Sequence, residues 1–570
     1  MYRYGDIWSI MSDKKRAKIT PQETGLDRRK FMAVASALSA PALTGCLGEN
    51  GDDNDDDDDI EIDDSDDRGE TPDVQEGGTL QATMESPLSG LDPAYAGLWV
   101  DYSVGSCIHQ QLFEVDRDYN LVGLLAEDTE ISEDGLTWDI KLREGVMFHP
   151  PYEREMVAED VVYNFDRIGD PDVGSPRAAQ LEPIDDWSAV DDYTFRIELP
   201  RQLASLPSWL GFMGLSVLSP DALEEEGDAE QLPVGTGPFK FEEWQPREEL
   251  RLSAFDNYWE PDIPVVDELI LSPITEEAAR VTELTTGNMH LDRTPPKDDV
   301  PSLVDNDDIV VNQQESGGYR MLHLNPTEDP DEGRSPQKPT TELEVRQAVN
   351  AAIDRNAMVE FVDNGFGQPT QTWFPEDSQW HSDYAPFSME AEPERAQELI
   401  EEAGFSTPLE ITILSTPDDE ALRDVGQVLQ DNLLQAGFDP TLEELEIGTW
   451  VGRLSAREFD IAVDWSVSNL DPGVLQSGYD QENFPRALTP VRGMHDELFD
   501  LWEAGAEAES DAERQEIYVE LQEELVDLSL NIPIYFRDLV EAYRTNVWDY
   551  ETHPHFLNWK GAVDTAWIEE

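Results

Sequence analysis

Eight histidines and two cysteines are the side chains of this 570-residue sequence best suited to metal ligation or nucleophilic attack. The histidines stand at 109, 149, 290, 323, 381, 495, 553 and 555, and only His553-Pro554-His555 brings two imidazoles within chelating reach. A tight metal site needs further ligands, and neither cysteine lies near that pair. The pair therefore reads as a surface loop, with a metal contact as the minor alternative, and no metal is expected. The sequence holds no Gly-x-Ser-x-Gly elbow, no His-Glu-x-x-His, no phosphate loop and no Cys-x-x-Cys. Pairs of Asp and Glu occur throughout and so carry no acid–base signal. No catalytic residue and no cofactor is expected.

Aromatic side chains offer a different chemistry. Trp465 follows directly on a strand that should be buried, and Trp373 sits in Gln371-Thr372-Trp373-Phe374-Pro375, which has neither helical nor strand period. Aromatic walls with a few fixed polar groups suit a closed cavity for a small solute. Taken singly, each tryptophan suits core packing at least as well.

The elements around Trp465 give it a position. Leu409 to Leu414 reads as a strand and Asp419 to Gln435 as an amphipathic helix stopped by Gly437. A strand near Pro440 to Leu445, a helical stretch from Thr449 to Arg457 and the strand Phe459 to Val463 follow. This β-α-β-α-β order predicts a doubly wound, mostly parallel sheet, where ligands bind beyond the carboxyl ends of the strands. That rule points at Asp464 to Gly473, a run containing Asp464, Trp465, Ser468 and Asp471. Alternation in Thr137 to Leu142 and Thr194 to Leu199 marks half-buried strands of a separate antiparallel subdomain. Helices at Leu343 to Asp354, Pro393 to Ala403 and Asp511 to Leu528 supply cover, and no internal repeat is found.

Acids outnumber bases by 125 to 38, a formal net charge of −87. The excess is dispersed, and only five lysines follow Cys46: Lys141, Lys240, Lys297, Lys338 and Lys560. In dilute buffer such a surface repels itself, whereas at molar salt the Debye length falls to roughly 3 Å. The composition reads as adaptation to a hypersaline medium; a binder of basic partners would concentrate its acids in patches. Nucleic-acid binding is excluded, because phosphate recognition needs clustered Arg and Lys.

Near the N-terminus, Asp27-Arg28-Arg29-Lys30-Phe31-Met32 forms a twin-arginine pattern, followed by an apolar run from Ala33 to Ala42 and Leu43-Thr44-Gly45-Cys46. The run is short for a permanent span and reads as an export signal over residues 1–45. Its end resembles a lipobox, which implies lipid attachment at Cys46. Residues 1 to 25 make a long lead, with Met11 as a second candidate start. Residues 46–76, with Asp55 to Asp59, lack the apolar side chains to offset chain entropy and should form a disordered acidic tether. Once Cys46 carries lipid, Cys107 has no disulfide partner; among apolar neighbours it reads as a buried small hydrophobe.

Several ordered stretches resemble the extracellular solute-binding family that serves dipeptide, oligopeptide and nickel importers. They are Leu91-Asp92-Pro93, the run Ile131 to His149 with Ala158-Glu159-Asp160-Val161, Pro233-Val234-Gly235-Thr236-Gly237-Pro238-Phe239, Asn257-Tyr258-Trp259, Val345-Arg346-Gln347-Ala348, Ala352-Ile353-Asp354-Arg355 and Asp471-Pro472. The resemblance implies an α/β, two-lobed periplasmic-binding-protein fold of the large type. Lobe I would be 77–108, 236–318 and 532–570, an extra mixed α/β subdomain 109–235, and lobe II 319–531. It implies a non-enzymatic, extracytoplasmic, lipid-anchored receptor, expected as a monomer, that closes on a solute and docks on permease subunits of an ATP-driven importer. Ser89, Leu91 and Asp92 would form an early ligand-side loop. The glycines of Gly235-Thr236-Gly237 would sit at positive φ. Peptide-binding relatives carry Trp-x-x-Asp before the Asp-Pro, its carboxylate pairing with the peptide ammonium; here the run is Trp465-Ser466-Val467-Ser468. A hydroxyl cannot neutralise a buried ammonium, so a peptide would need Asp464 or Asp471 instead. A non-peptide solute such as a sugar or nickel chelate is the runner-up, a solute-sensing scaffold the third reading and a secreted hydrolase the fourth.

Overall fold

The computed structural model describes Arg68 and residues 71–569, apart from 97, 228, 231, 328–337, 377, 468–470, 483–486 and 509. The expected signal, the lipid site Cys46, most of the tether and Ser468 lie outside the described residues. Residues 62–570 form one compact unit.

Its backbone is an eleven-stranded mixed sheet. Ten strands run in the order Phe438–Glu444, Leu409–Ser415, Ile461–Val467, Ile309–Leu324, Asn531–Arg544, Leu291–Asp292, Thr79–Met84, Glu268–Pro273, Glu249–Ala254, Phe239–Gln245, and Gly367–Pro369 pairs off Asn531–Arg544. The first three pair in parallel, as the β-α-β-α-β pattern predicts. Beyond them the sheet is mixed rather than mostly parallel: Thr79–Met84 pairs in parallel with Leu291–Asp292 and Glu268–Pro273, and the other pairings are antiparallel. Ile461–Val467 pairs antiparallel with Ile309–Leu324, which pairs antiparallel with Asn531–Arg544, because the chain leaves and re-enters this region along adjacent strands.

Helix Glu420–Gln435 illustrates how local sequence fixes an element. The Asp419 carboxylate accepts the Leu422 N–H at 2.9 Å, and Leu422, Val425, Leu429 and Leu433 repeat at three- and four-residue spacing and are buried. Gly437 then turns the chain at φ 89°.

Three large apolar cores form, rather than one. The first runs from Tyr319 to Phe536 around the parallel strands. The second, from Leu80 to Ala566, underlies the opposite end of the sheet. The third, from Ala94 to Val234, covers a separate antiparallel sheet ordered Ala126–Ile131, Thr137–Leu142, Thr194–Glu198, Asp186–Asp191. Cys107 is fully buried, as expected. Arg68, near the end of the expected tether, donates to the Thr545 carbonyl at 3.0 Å and lies 4.1 Å above the Trp548 ring.

Gly235 and Gly237 correct an expectation: neither is among the positive-φ glycines. They are needed because two backbones touch. A Cβ on Gly235 would lie 2.1 Å from the Ile108 carbonyl oxygen, and one on Gly237 would lie 2.5 Å from that of Cys107. The Gly237 N–H donates to Ile108 O at 2.9 Å, and the buried His149 ring meets Gly237 O at 2.8 Å. Gly235→Ala should therefore destabilise the fold by about 1–3 kcal/mol, measured by denaturant unfolding, while Gly452→Ala, whose Cβ meets nothing within 4 Å, should not destabilise it.

Candidate functional site

Among the described residues the two long strands, Ile309–Leu324 and Asn531–Arg544, link the halves of the sheet, and their register breaks in the middle. Glu315 faces Asp538 and Tyr319 faces Phe536, so Ser316, Gly317 and Gly318 stand against Arg537 alone. The Ser316 hydroxyl donates to the Arg537 carbonyl at 2.7 Å and accepts the Gly318 N–H at 3.2 Å, which holds the bulge. A bulge re-aims the side chain opposite it. Here Arg537 lines a solvent-connected cleft beside the junction that encloses about 70 Å³, with Trp99, Arg293, Lys297, Glu541 and Phe556 in its wall.

Phe556 bridges the cleft. Its ring meets Trp99 edge-on at 5.9 Å, from its own half, and Trp465 at 6.4 Å, from the other. Trp465 is 39% exposed, which leaves it apolar area still to bury.

Below these rings lies a buried charge cluster. Lys297 pairs with Asp363, whose other oxygen accepts the Tyr535 hydroxyl, and Arg320 adjoins Tyr535 on the neighbouring strand. Burial alone would raise the Asp363 pKa, but Lys297, Arg320 and Arg537 hold it down to about 2. Burial lowers Lys297 to about 8, with Arg537 and Arg320 adding repulsion against the pull of Asp363. Arg293 lies over the Trp559 ring at 4.4 Å and 3.5 Å from Glu541, which also accepts the hydroxyls of Tyr550 and Thr552.

The residues singled out from sequence have varied placements. Asp92 is buried and paired with Arg167 while accepting the Ala94 N–H at 3.0 Å. Ser89 is tied to Asp101, and Leu91 is buried with its N–H on Glu230 at 3.1 Å. Asp471 is buried, 2.6 Å from Arg514, and caps Gly473. Trp373 is buried in the first core. The Asp464 carboxylate sits 3.0 Å from His323. Among these, only Trp465 reaches the cleft rings. His553 and His555 line the cleft wall with their imidazoles kept neutral by burial, at about 3 and about 4, and His553 Nδ1 accepts the His555 N–H at 3.1 Å.

Arg293, Lys297, Arg320, Arg537 and Phe556 were not singled out by the sequence reading. One signal was available: a guanidinium inside otherwise apolar strand sequence, as in Gly-Tyr-Arg320-Met-Leu and Tyr-Phe-Arg537-Asp-Leu, is conspicuous in a chain so poor in bases. Asp363→Asn, which leaves Lys297 unpaired, should cost about 3–5 kcal/mol in denaturant unfolding at fixed high salt; a change within 0.5 kcal/mol would mean the cluster is not sustained by this pair.

A second and larger opening, about 680 Å³, lies between residues 201 to 205 and the helices Asp496–Glu507 and Asp511–Leu528, away from the junction.

Residues 120–483 match the family described as bacterial extracellular solute-binding proteins, family 5, middle region. The chain is 29% identical over 364 residues to the glutathione-binding protein GsiB of Pectobacterium atrosepticum, covering 64% of this chain and 68% of that protein. Its namesake in Escherichia coli K12 is 27% identical over 471 residues, covering 81% and 90%. Among solved structures, the binding protein AgaA from A. tumefaciens R10 in complex with agropinic acid superimposes with a TM-score of 0.73 at 23% identity, over 86% of this chain and 99% of that one. DppA from Helicobacter pylori in complex with the peptide STSA gives 0.72 at 25% identity, over 87% and 99%. The fold is the two-lobed periplasmic-binding-protein fold of the peptide-binding class.

Proposed function

The chain belongs to the bacterial extracellular solute-binding proteins of family 5, and from that premise we propose that it captures a small peptide-like solute outside the cell and delivers it to an importer's permease. The observation that carries the reading is the cleft at the junction, walled by Trp99 and Phe556 from one half and reached by Trp465 from the other. Lobe I is 77–108, 236–318 and 532–570, the extra subdomain 109–235 and lobe II 319–531. A solute touching both lobes binds the closed form better than the open one, and that difference in affinity drives closure. The cleft's groups hold and orient; the protein is not an enzyme.

A peptide ammonium needs a carboxylate, and Asp464 and Asp471 are engaged by His323 and Arg514. Asp538 takes the role in this reading. It lines the cleft, one oxygen accepts the Gln313 amide at 2.6 Å, and the other has no hydrogen-bond partner among the described residues. Burial raises its pKa, and a bound ammonium would draw it back down. Solutes named for similar proteins, glutathione and the peptide STSA, suit the same reading. Export by the twin-arginine route, a lipid on Cys46, a monomeric state and a hypersaline habitat complete it. Among the described residues no helix is long and apolar enough to cross a membrane.

The test is thermal unfolding of the full chain in about 3 M KCl against Met-Leu, N-acetyl-Met-Leu, glutathione, sugars and nickel chelates. A ligand at about 100 times its Kd adds about 2.7 kcal/mol to the folded state. Met-Leu should raise the midpoint, N-acetyl-Met-Leu should not, and Asp538→Asn should remove the difference. A midpoint moved only by a sugar or a chelate replaces the peptide reading. Closure should also bury Trp465, so its emission, taken as the difference between wild type and Trp465→Phe, should shift to the blue on binding.

A further inference from the structure

We propose that the solute carries a carboxylate and that Arg537 receives it, an inference that rests on the receptor reading above and narrows its substrate class. Bases are scarce in this chain, 38 against 125 acids. Yet Arg293, Lys297 and Arg537 line one cleft, and Arg320 lies just behind it. Three of the four have partners: Lys297 has Asp363, Arg293 has Glu541 and the face of Trp559, and Arg320 has the Tyr535 hydroxyl.

Arg537 differs. Among the described residues its guanidinium makes no ion pair and no hydrogen bond, and its Nε is fully covered. Burial works against its charge, and the neighbouring Arg320 adds repulsion, while Asp363, Tyr535 and Asp419 attract it only from a distance. A covered, unpaired guanidinium is costly. Its carbonyl is fixed by Ser316, and the bulge leaves it the single residue opposite three, so its side chain is directed rather than loose. A planar fork of N–H donors at the floor of a cleft matches a carboxylate in bidentate geometry. Asp538, the next residue, lines the same cleft and leaves one oxygen unpaired. Consecutive on the strand, the two bring opposite charges to the lining of one cleft, as the two ends of a short zwitterion require.

Molar salt screens distant charges, but a contact pair inside a cleft survives it. Affinities of the full chain are measured in about 3 M KCl for Met-Leu, Met-Leu amide, glutathione, sugars and nickel chelates, in wild type, Arg537→Gln and Arg537→Lys. Wild type should prefer Met-Leu to its amide by roughly 10- to 100-fold. Arg537→Gln should abolish that preference, and Arg537→Lys should keep part of it. Because Gln removes an unpaired charge, the ligand-free Arg537→Gln protein should melt no lower than wild type, which a structural arginine would not allow. Equal binding of acid and amide by wild type, as when Arg537 holds only a chloride ion, overturns the inference but leaves the receptor reading standing. A preference that persists in Arg537→Gln overturns it too. If none of these solutes binds, the receptor reading falls first, and the inference with it.

Discussion

Everything in this molecule turns on two hydrogen-bonded strands. Ile309–Leu324 and Asn531–Arg544 run side by side through both halves of the sheet, pairing with Ile461–Val467 at one end and with Leu291–Asp292 at the other. An unbroken ladder would make the halves one rigid slab. Three residues against one at Ser316 to Gly318 interrupt it, so the ladder is weakened just beyond Tyr319 and Phe536, where the first core ends. The family's two-lobed architecture follows from that: each lobe keeps its own core, and motion is concentrated in few backbone bonds.

Charge imposes the second constraint. A chain this acidic can place acids freely on its surface, but several of its buried ones draw a cation from a small supply. Asp92 takes Arg167, Asp471 takes Arg514 and Asp480 takes Arg492. The first two of these pairs hold loops to helices that sequence separates. Cations that cluster at the cleft are thereby withheld from the rest of the structure, which makes their placement informative.

Local signals in the sequence were enough for the periodic elements. Helix Glu420–Gln435, with its Asp419 cap, and the strands Thr137–Leu142 and Leu409–Ser415 lie where apolar spacing and turn residues place them. The long strands were not legible, since only pairing with a partner over two hundred residues away makes Ser316-Gly317-Gly318 a bulge. Trp465 was reached through strand-end logic. Asp471 lies in the same strand-end run and in the resemblance, and Asp92 in the resemblance alone, yet their partners, Arg167 and Arg514, lie too far along the chain for spacing to indicate. The glycines at 235 and 237 were recognised as special, but for conformational freedom, when the reason is a neighbouring backbone that only folding brings near.

In the receptor reading proposed above, Arg537 at the bulge stands at the fulcrum of the two lobes, with Trp465 and Phe556 on the lever arms. A force applied at a fulcrum has no leverage. A solute fragment held there alone would occupy the protein without drawing the arms together, whereas one that also reaches the rings would do both. Tenacity of capture and the signal passed onward are therefore set at different radii from the same pivot. A truncated solute of this kind would act as an antagonist, bound in the receptor and never handed over.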